Sequence, residues 1–253
     1  MIARFRLQCL LAGLHFALPG LAATPLIALD VGHTLAEPGA ISARGVPEFS
    51  FNLALAQAIH TELTERKQQA LLIGADGDLR ELKSRTQEAQ ALRATFFLSI
   101  HHDSADERYL ETWEWAGTSR RYTDRFSGFS LFVSRRNPAP QRSLRCASAL
   151  GGALRQHGFV PTPHHAEKHE WADQTNGVYY YDNLVVLHTA ASPAVLFEAG
   201  VILNPAEELR LQTPETRQSI AQALHDGLKE CGALDPKRKH IARQPLSTPR
   251  LPP

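Results

Sequence analysis

Apolar positions along this chain fall into short continuous runs separated by stretches of helical spacing. The first run, LIALDV at 26–31, reads as a strand. A loop with Gly32, Gly39 and Gly45 follows. Residues 49–67 then repeat as a helix, with Leu53, Ala56, Ile59, His60 and Leu63 predicted on one face. Residues 70–73 predict a second strand. Residues 79–94 predict a helix with Leu82, Ala89 and Leu92 inward, and 96–100 a third strand. Charged and aromatic residues at 103–127 show little periodicity and read as loop. Further strands are predicted at 128–134 and 194–197, with a short strand or helix start at 184–187. Helices are predicted at 143–157, stopped by Gly158, and at 213–231, stopped by Gly232. The second of these turns Ile220, Ala223, Leu224 and Leu228 inward. The segment 161–177 reads as a polar loop. Strand alternating with helix in this order predicts a single α/β domain: a mostly parallel twisted sheet flanked by helices.

Composition adds a leader and a tail. Arg4 and Arg6 precede an apolar run at 9–18, then Pro19, Gly20 and the small pair Ala22-Ala23. This predicts a signal peptide over 1–23, cleaved on export, with the periplasm, or secretion, as destination. The run is short of the roughly 20 residues a membrane span needs and contains His15. No stable membrane insertion is expected after cleavage, and Cys9 lacks the setting of a lipidation site. Residues 235–253 form a basic, Pro-rich tail expected to be disordered. The chain's formal charge is +1. Two positive charges lie in the leader and a net four in the tail, so the body at 24–234 is acidic by about five. That excludes the basic footprint of a nucleic-acid binder. Cys146 and Cys231 remain after export, on separate predicted helices. An oxidising compartment permits a disulfide, but packed free thiols are equally ordinary, and spacing in sequence leaves the pairing open.

Polar residues capable of chemistry stand at strand ends. His33 follows the first strand, His101-His102-Asp103 the third, and Glu198 lies in the VLFE run. Glu48 opens the first helix. In open α/β sheets ligands bind outside the carboxyl ends of strands, where such residues converge. Two histidines and a glutamate can hold a catalytic zinc, leaving a position for water, and a further carboxylate can carry the proton. Singly, each signal is weak: a glutamate at a helix start already suits the helix dipole. His164, His165, Glu167 and His169 form a second polar cluster. It reads either as a groove rim touching substrate or as a solvated loop. His165 and His169 have metal spacing only if helical, and no third ligand is evident. Trp113, Trp115 and Trp171 could stack on sugar faces, although burial in a loop cluster is plainer. His60 and His225 read as surface or packing residues. Strand alternation predicts that His102 points away from whatever His101 meets.

Several blocks, in order, resemble the zinc-dependent N-acetylmuramoyl-L-alanine amidases, the peptidoglycan amidases of cell-wall remodelling and cell separation. They are LDVGH with the glutamate of GVPEFSFNLALA fifteen residues on, LKSRTQEAQ, FFLSIHHDS and PAVLFEAGVILNPAEELRL. The resemblance runs from about residue 25 to 232. It implies a zinc ion at the carboxyl ends of the strands, held by His33, Glu48 and His101, with Glu198 as the catalytic carboxylate. Arg85 resembles the family's helix arginine. Arg85, His164, His165 and Glu167 are then candidates for substrate contact. The implied reaction cleaves the amide between the lactyl group of N-acetylmuramic acid and the L-alanine of the stem peptide. The implied partners are peptidoglycan and a division-associated activator protein. Thr34-Leu35, Asp103 in place of the pattern's asparagine, and GVILN depart from the family; no ligand is lost. No plugging helical insertion is evident. A zinc hydrolase of another amide, or a silent module binding peptidoglycan or a division partner, are the rival readings.

Overall fold

The computed structural model describes residues 24–236; the expected leader lies outside the described residues, as does nearly all of the expected tail. The chain runs β1 (Leu26–Val31), α1 (Glu48–Glu65), β2 (Gln69–Ile73), α2 (Leu82–Ala91) and β3 (Phe96–Asp103). Next come β4 (Glu111–Trp115), β5 (Thr118–Tyr122), β6 (Ser130–Val133), α3 (Pro140–Gln156), β7 (Trp171–Asp173) and β8 (Val178–Tyr180). The chain then forms α4 (Val185–Thr189), β9 (Ala194–Val201), α5 (Pro205–Leu211) and α6 (Pro214–Glu230).

Seven strands form one sheet in the order β2-β1-β3-β9-β6-β8-β7. Pairing is parallel from β2 through β9 and again between β6 and β8; β6 runs antiparallel to β9, and β7 to β8. The central strands are mostly apolar because both faces are covered, as parallel sheets require, with polar residues such as Asp30 and Ser99 buried among them. Ile27, Leu29 and Val31 of β1 and Phe96, Leu98 and Ile100 of β3 face one core, with α1, α3 and α6. Ala28 and Phe97 face the other, with Ala89 of α2 and Leu187 of α4. The alternation follows from the two-residue period of a strand. The sheet is thus mixed but mostly parallel, with helices on both faces.

Several expectations are corrected. The inward face of α1 is Asn52, Leu55, Ala56, Ile59 and Leu63, with Leu53 and His60 at its margin. Leu82 and Leu92 of α2 are 46% and 50% exposed; its buried residues are Arg85, Thr86 and Ala89. The stretch 103–127 is not all loop: β4 and β5 form a separate antiparallel hairpin. Its cohesion is aromatic rather than aliphatic. Trp113 stacks on Trp115 at 5.3 Å and meets Tyr122 at 5.5 Å, and the Arg44 guanidinium lies 4.7 Å from the Trp115 ring centre. Both faces of the hairpin are largely exposed, so its strands carry no alternating apolar signal. The 161–177 segment contains a 3₁₀ turn at His164–Glu167 as well as β7. Helix α5 is unheralded by periodicity, but Asn204 caps it by accepting from the Ala206 and Glu207 amides, with Pro205 at its first turn.

Cys146 and Cys231 are joined by a disulfide, with Cα atoms 5.0 Å apart, tying α3 to the end of α6. Among the described residues no helix is long and apolar enough to cross a membrane.

Candidate metal centre and the adjoining histidine cluster

Strands β1, β3 and β9 are neighbours, so their carboxyl ends bring together residues from opposite ends of the chain. His33 lies just beyond β1, and His101 near the end of β3 pairs in register with Glu198 of β9. Glu48 is the first residue of α1, where the helix dipole favours a carboxylate. His33 Nε2 lies 3.0 Å from Glu48 Oε2, and His101 Nδ1 lies 3.0 Å from Glu48 Oε1. One donor atom from each of the three falls within 4.8 Å of the others.

Local backbone builds this geometry. Gly32 leaves room for the His101 ring, since a Cβ there would lie 2.3 Å from its Nε2. Gly39, with φ of +78°, leaves comparable room for Glu48 and His33. His33 itself adopts φ of 69°, a left-handed conformation unusual for a residue with a side chain. Arg85 secures that conformation. Its Nη2 donates to the His33 carbonyl at 2.6 Å and to the Leu79 carbonyl at 2.7 Å. Its Nη1 donates to the Val31 carbonyl at 2.5 Å and to Asp30 Oδ1 at 2.7 Å. Arg85, 2% exposed, straps the loop that carries His33 and also lines the cavity beside it, where its expected substrate contact would be made.

Glu48 is held by three further donors: the Ala40 amide at 3.0 Å, Asn52 Nδ2 at 3.1 Å and the His102 amide at 3.3 Å. Burial opposes its charge, but hydrogen bonds to His101 and His33 outweigh this and hold its pKa below the usual carboxylate range. His102 points away from His101, as alternation predicts. Its Nδ1 meets Asn52 Oδ1 at 2.8 Å, so it orients the amide that orients Glu48. Burial lowers the His102 pKa to about 3 and keeps the ring neutral.

Glu198 lies beside this group. Its Oε2 is shielded from solvent and has no hydrogen-bond partner. Burial first, and then the charges of Asp103 and Glu48, raise its pKa well above the usual value.

A second convergence went unseen in the sequence. His165 Nε2 and His164 Nε2 lie 2.5 Å and 3.3 Å from Asp103 Oδ2. Asp103 resisted recognition because it is 62 residues from His165. Glu167 turns away from this cluster, pairing with Arg108 and accepting from the Tyr109 hydroxyl at 2.7 Å. His169 packs beside Tyr181 at 4.4 Å. Trp171 stacks on Tyr179 at 3.9 Å, and the Trp113 indole donates to the Ala43 carbonyl at 2.9 Å, so both are occupied in packing.

The first cluster has the donors of a catalytic zinc site: two imidazole nitrogens and one carboxylate, with outer hydrogen bonds orienting the carboxylate. A cavity of about 230 Å³, lined by Gly32, His33, Thr34, Glu37, Arg80 and His101 among others, opens beside it.

Comparison with known proteins bears on the family and fold. A probable N-acetylmuramoyl-L-alanine amidase, AmiB of Haemophilus influenzae, is 26% identical over 227 residues, covering 82% of this chain. The chain spans only about half, 52%, of that relative. The catalytic domain of CwlV, an N-acetylmuramoyl-L-alanine amidase from Bacillus (Paenibacillus) polymyxa var. colistinus, superposes with a TM-score of 0.64 at 25% identity, covering 83% of this chain and 99% of that one. The amidase Ami1 of Mycobacterium smegmatis shares the fold, with a TM-score of 0.67 at 22% identity and coverage of 83% and 97%. The family profile described as N-acetylmuramoyl-L-alanine amidase matches residues 27–230, nearly all of the described structure, and the chain therefore belongs to that family.

Proposed function

We propose that the protein is an exported, zinc-dependent N-acetylmuramoyl-L-alanine amidase whose substrate and partner is peptidoglycan. It hydrolyses the amide joining the lactyl carbonyl of N-acetylmuramic acid to the L-alanine amine. The observation that carries this reading is the meeting of His33, Glu48 and His101 at one rim, with Glu198 directly across the β3–β9 register. His33, Glu48 and His101 are the residues that would hold zinc. Once bound, zinc supplies a Lewis acid for the scissile carbonyl and makes a water molecule acidic enough to react near neutral pH.

Glu198 carries the proton. Burial, Asp103 and Glu48 all disfavour its ionised form. A carboxyl facing His101 across the β3–β9 register is placed to take a proton from water and return it to the leaving amine. The water oxygen bonds to the carbonyl carbon, and the water proton passes to Glu198. The C–N bond then breaks, and that proton goes to the departing alanine nitrogen. Lactyl carboxylate and a free stem peptide result. Asn52 and His102 keep the Glu48 carboxylate turned toward the two histidines throughout. The Cys146–Cys231 disulfide supports export, because such a bond persists in oxidising compartments such as the periplasm.

Purified sacculi and zinc analysis test the reading. The zinc-loaded protein should release stem peptides and expose lactyl carboxyl groups. Glu198→Gln should retain zinc and lose activity by about 10²–10⁴-fold, the usual worth of general acid–base catalysis. Zinc-loaded wild type that releases no stem peptide would overturn the amidase assignment, leaving a hydrolase of another amide or a silent binding module. Full activity in Glu198→Gln would overturn the mechanism alone.

A further inference from the structure

The His33–Glu48–His101 group does not use Asp103, His164 or His165. An irregularity in the β3–β9 register falls between His101 and Asp103, so the two side chains serve different clusters. Asp103 Oδ1 accepts the Ser104 amide at 2.8 Å, which turns Oδ2 toward the two histidine rings. Those rings lie 3.9 Å apart between centroids, tilted by 36°, with the Nε2 atoms of His165 and His164 at 2.5 Å and 3.3 Å from Oδ2.

We propose that Asp103, His164 and His165 form a second divalent-cation site, suited to zinc and separate from the first. One donor atom from each lies within 4.8 Å of the other two. An ordinary Asp–His hydrogen bond accounts for His165 alone. It leaves Nε2 of His164, on a side chain only 8% exposed, in ion-pair contact with the same oxygen at 3.3 Å but buried without a hydrogen bond. A cation on the three donors satisfies that atom, which would otherwise be costly to bury.

The outer hydrogen bonds fit as well. His164 Nδ1 is 2.9 Å from Thr162 Oγ1, so the ring is held through the nitrogen that faces away from the cluster. Thr162 is fully buried, and its carbonyl accepts the Tyr179 hydroxyl at 2.8 Å. Metal-binding histidines characteristically anchor their second nitrogen in this manner. Two imidazoles and one carboxylate suit zinc better than magnesium or calcium, which take oxygen donors. The group borders a cavity of about 190 Å³ that leaves space for a fourth, water ligand. The nearby cations are already engaged: Lys168 pairs with Asp106 at 2.7 Å and Arg108 with Glu167.

Metal counting tests this without reference to amide hydrolysis. The full chain is stripped with chelator, reloaded with excess zinc, passed over a desalting column and analysed by mass spectrometry for zinc per chain. Two zinc ions per wild-type chain are expected, one for each donor group. Asp103→Asn and, separately, His165→Gln should each bind one. His33→Gln/His101→Gln should also bind one, through the second site, which keeps the count decisive if a variant at the second site fails to fold. Wild type that takes up a single zinc overturns the proposal, as does a folded Asp103→Asn protein that keeps two.

Discussion

Gly32→Ala isolates the geometry of the metal centre from the stability of the fold. Gly32 does not need a left-handed backbone, so alanine is admissible there, and the loss of unfolded-state freedom would favour folding by about 0.4–1 kcal/mol. The obstacle is steric and specific. The new Cβ would stand 2.3 Å from Cε1 and Nε2 of His101 and 2.6 Å from Nδ1. Ordinary contact between such atoms lies near ~3.5 Å, so the ring must retreat by about 1 Å. The methyl cannot yield, because it is fixed to the backbone between β1 and the loop. The retreat carries Nδ1 away from Glu48 Oε1, now 3.0 Å distant, and opens the donor set. Overpacking of this kind costs about 1–3 kcal/mol, and a displacement of about 1 Å in a reacting assembly costs on the order of 10²-fold in rate. We therefore expect Gly32→Ala to remain folded, to bind zinc at the first site at least 10-fold more weakly, and to lose about 10²-fold in amide hydrolysis. Competition with a chromophoric chelator measures the first quantity and release of stem peptide from sacculi the second. Wild-type zinc affinity together with wild-type activity in a folded Gly32→Ala protein would refute the reasoning.

The Cys146–Cys231 bond closes a separation of 85 residues, for which loop-closure entropy corresponds to about 4–5 kcal/mol. The Cys146→Ala/Cys231→Ala protein should lose that order of stability in urea unfolding, and a loss under about 1 kcal/mol would show that the unfolded state is restrained by other means. His102 supplies a pH dependence. Its pKa falls from 6.5 when unfolded to about 3 when folded, so the unfolded chain takes up a proton first as pH drops. Its contribution to stability is complete above pH 6.5 and is lost on acidification toward pH 3, with a limiting slope of about 1.4 kcal/mol per pH unit. His102→Asn should flatten the stability profile in that window; an unchanged slope across it would mean that the ring is not held neutral.

From the chain alone one reads that strands alternate with helices and that polar residues stand where three strands end. The central strands are legible because burial on both faces makes LIALDV and FFLSI almost wholly apolar, broken only by Asp30 and Ser99. Glu198 and the first histidines are legible because each interrupts or ends such a run. The inward face of α2 is not legible in this way. Of its buried residues only Ala89 follows the apolar pattern; the largest is Arg85, and the acceptors that make its burial tolerable include Asp30 and the carbonyls of Val31 and His33, all more than 50 residues away in sequence. Leu82 and Leu92, which carry the apolar signal, lie outward. The β4–β5 hairpin was likewise hidden, because its strands are short and mostly exposed and are held by aromatic and cation–π contacts rather than by an aliphatic core. Local spacing thus determined which side chains reach the rim. Which of them meet was decided by tertiary structure. The sheet order sets β1 beside β3 and β3 beside β9, and thereby joins His33, Glu48 and His101 next to Glu198. The fold of the 3₁₀ turn joins Asp103 to His164 and His165, and the packing of α3 against α6 pairs the two cysteines. Each of these meetings depends on distances between residues remote in sequence, and those distances exist only once the sheet has closed its long crossovers and the helices have packed on its faces.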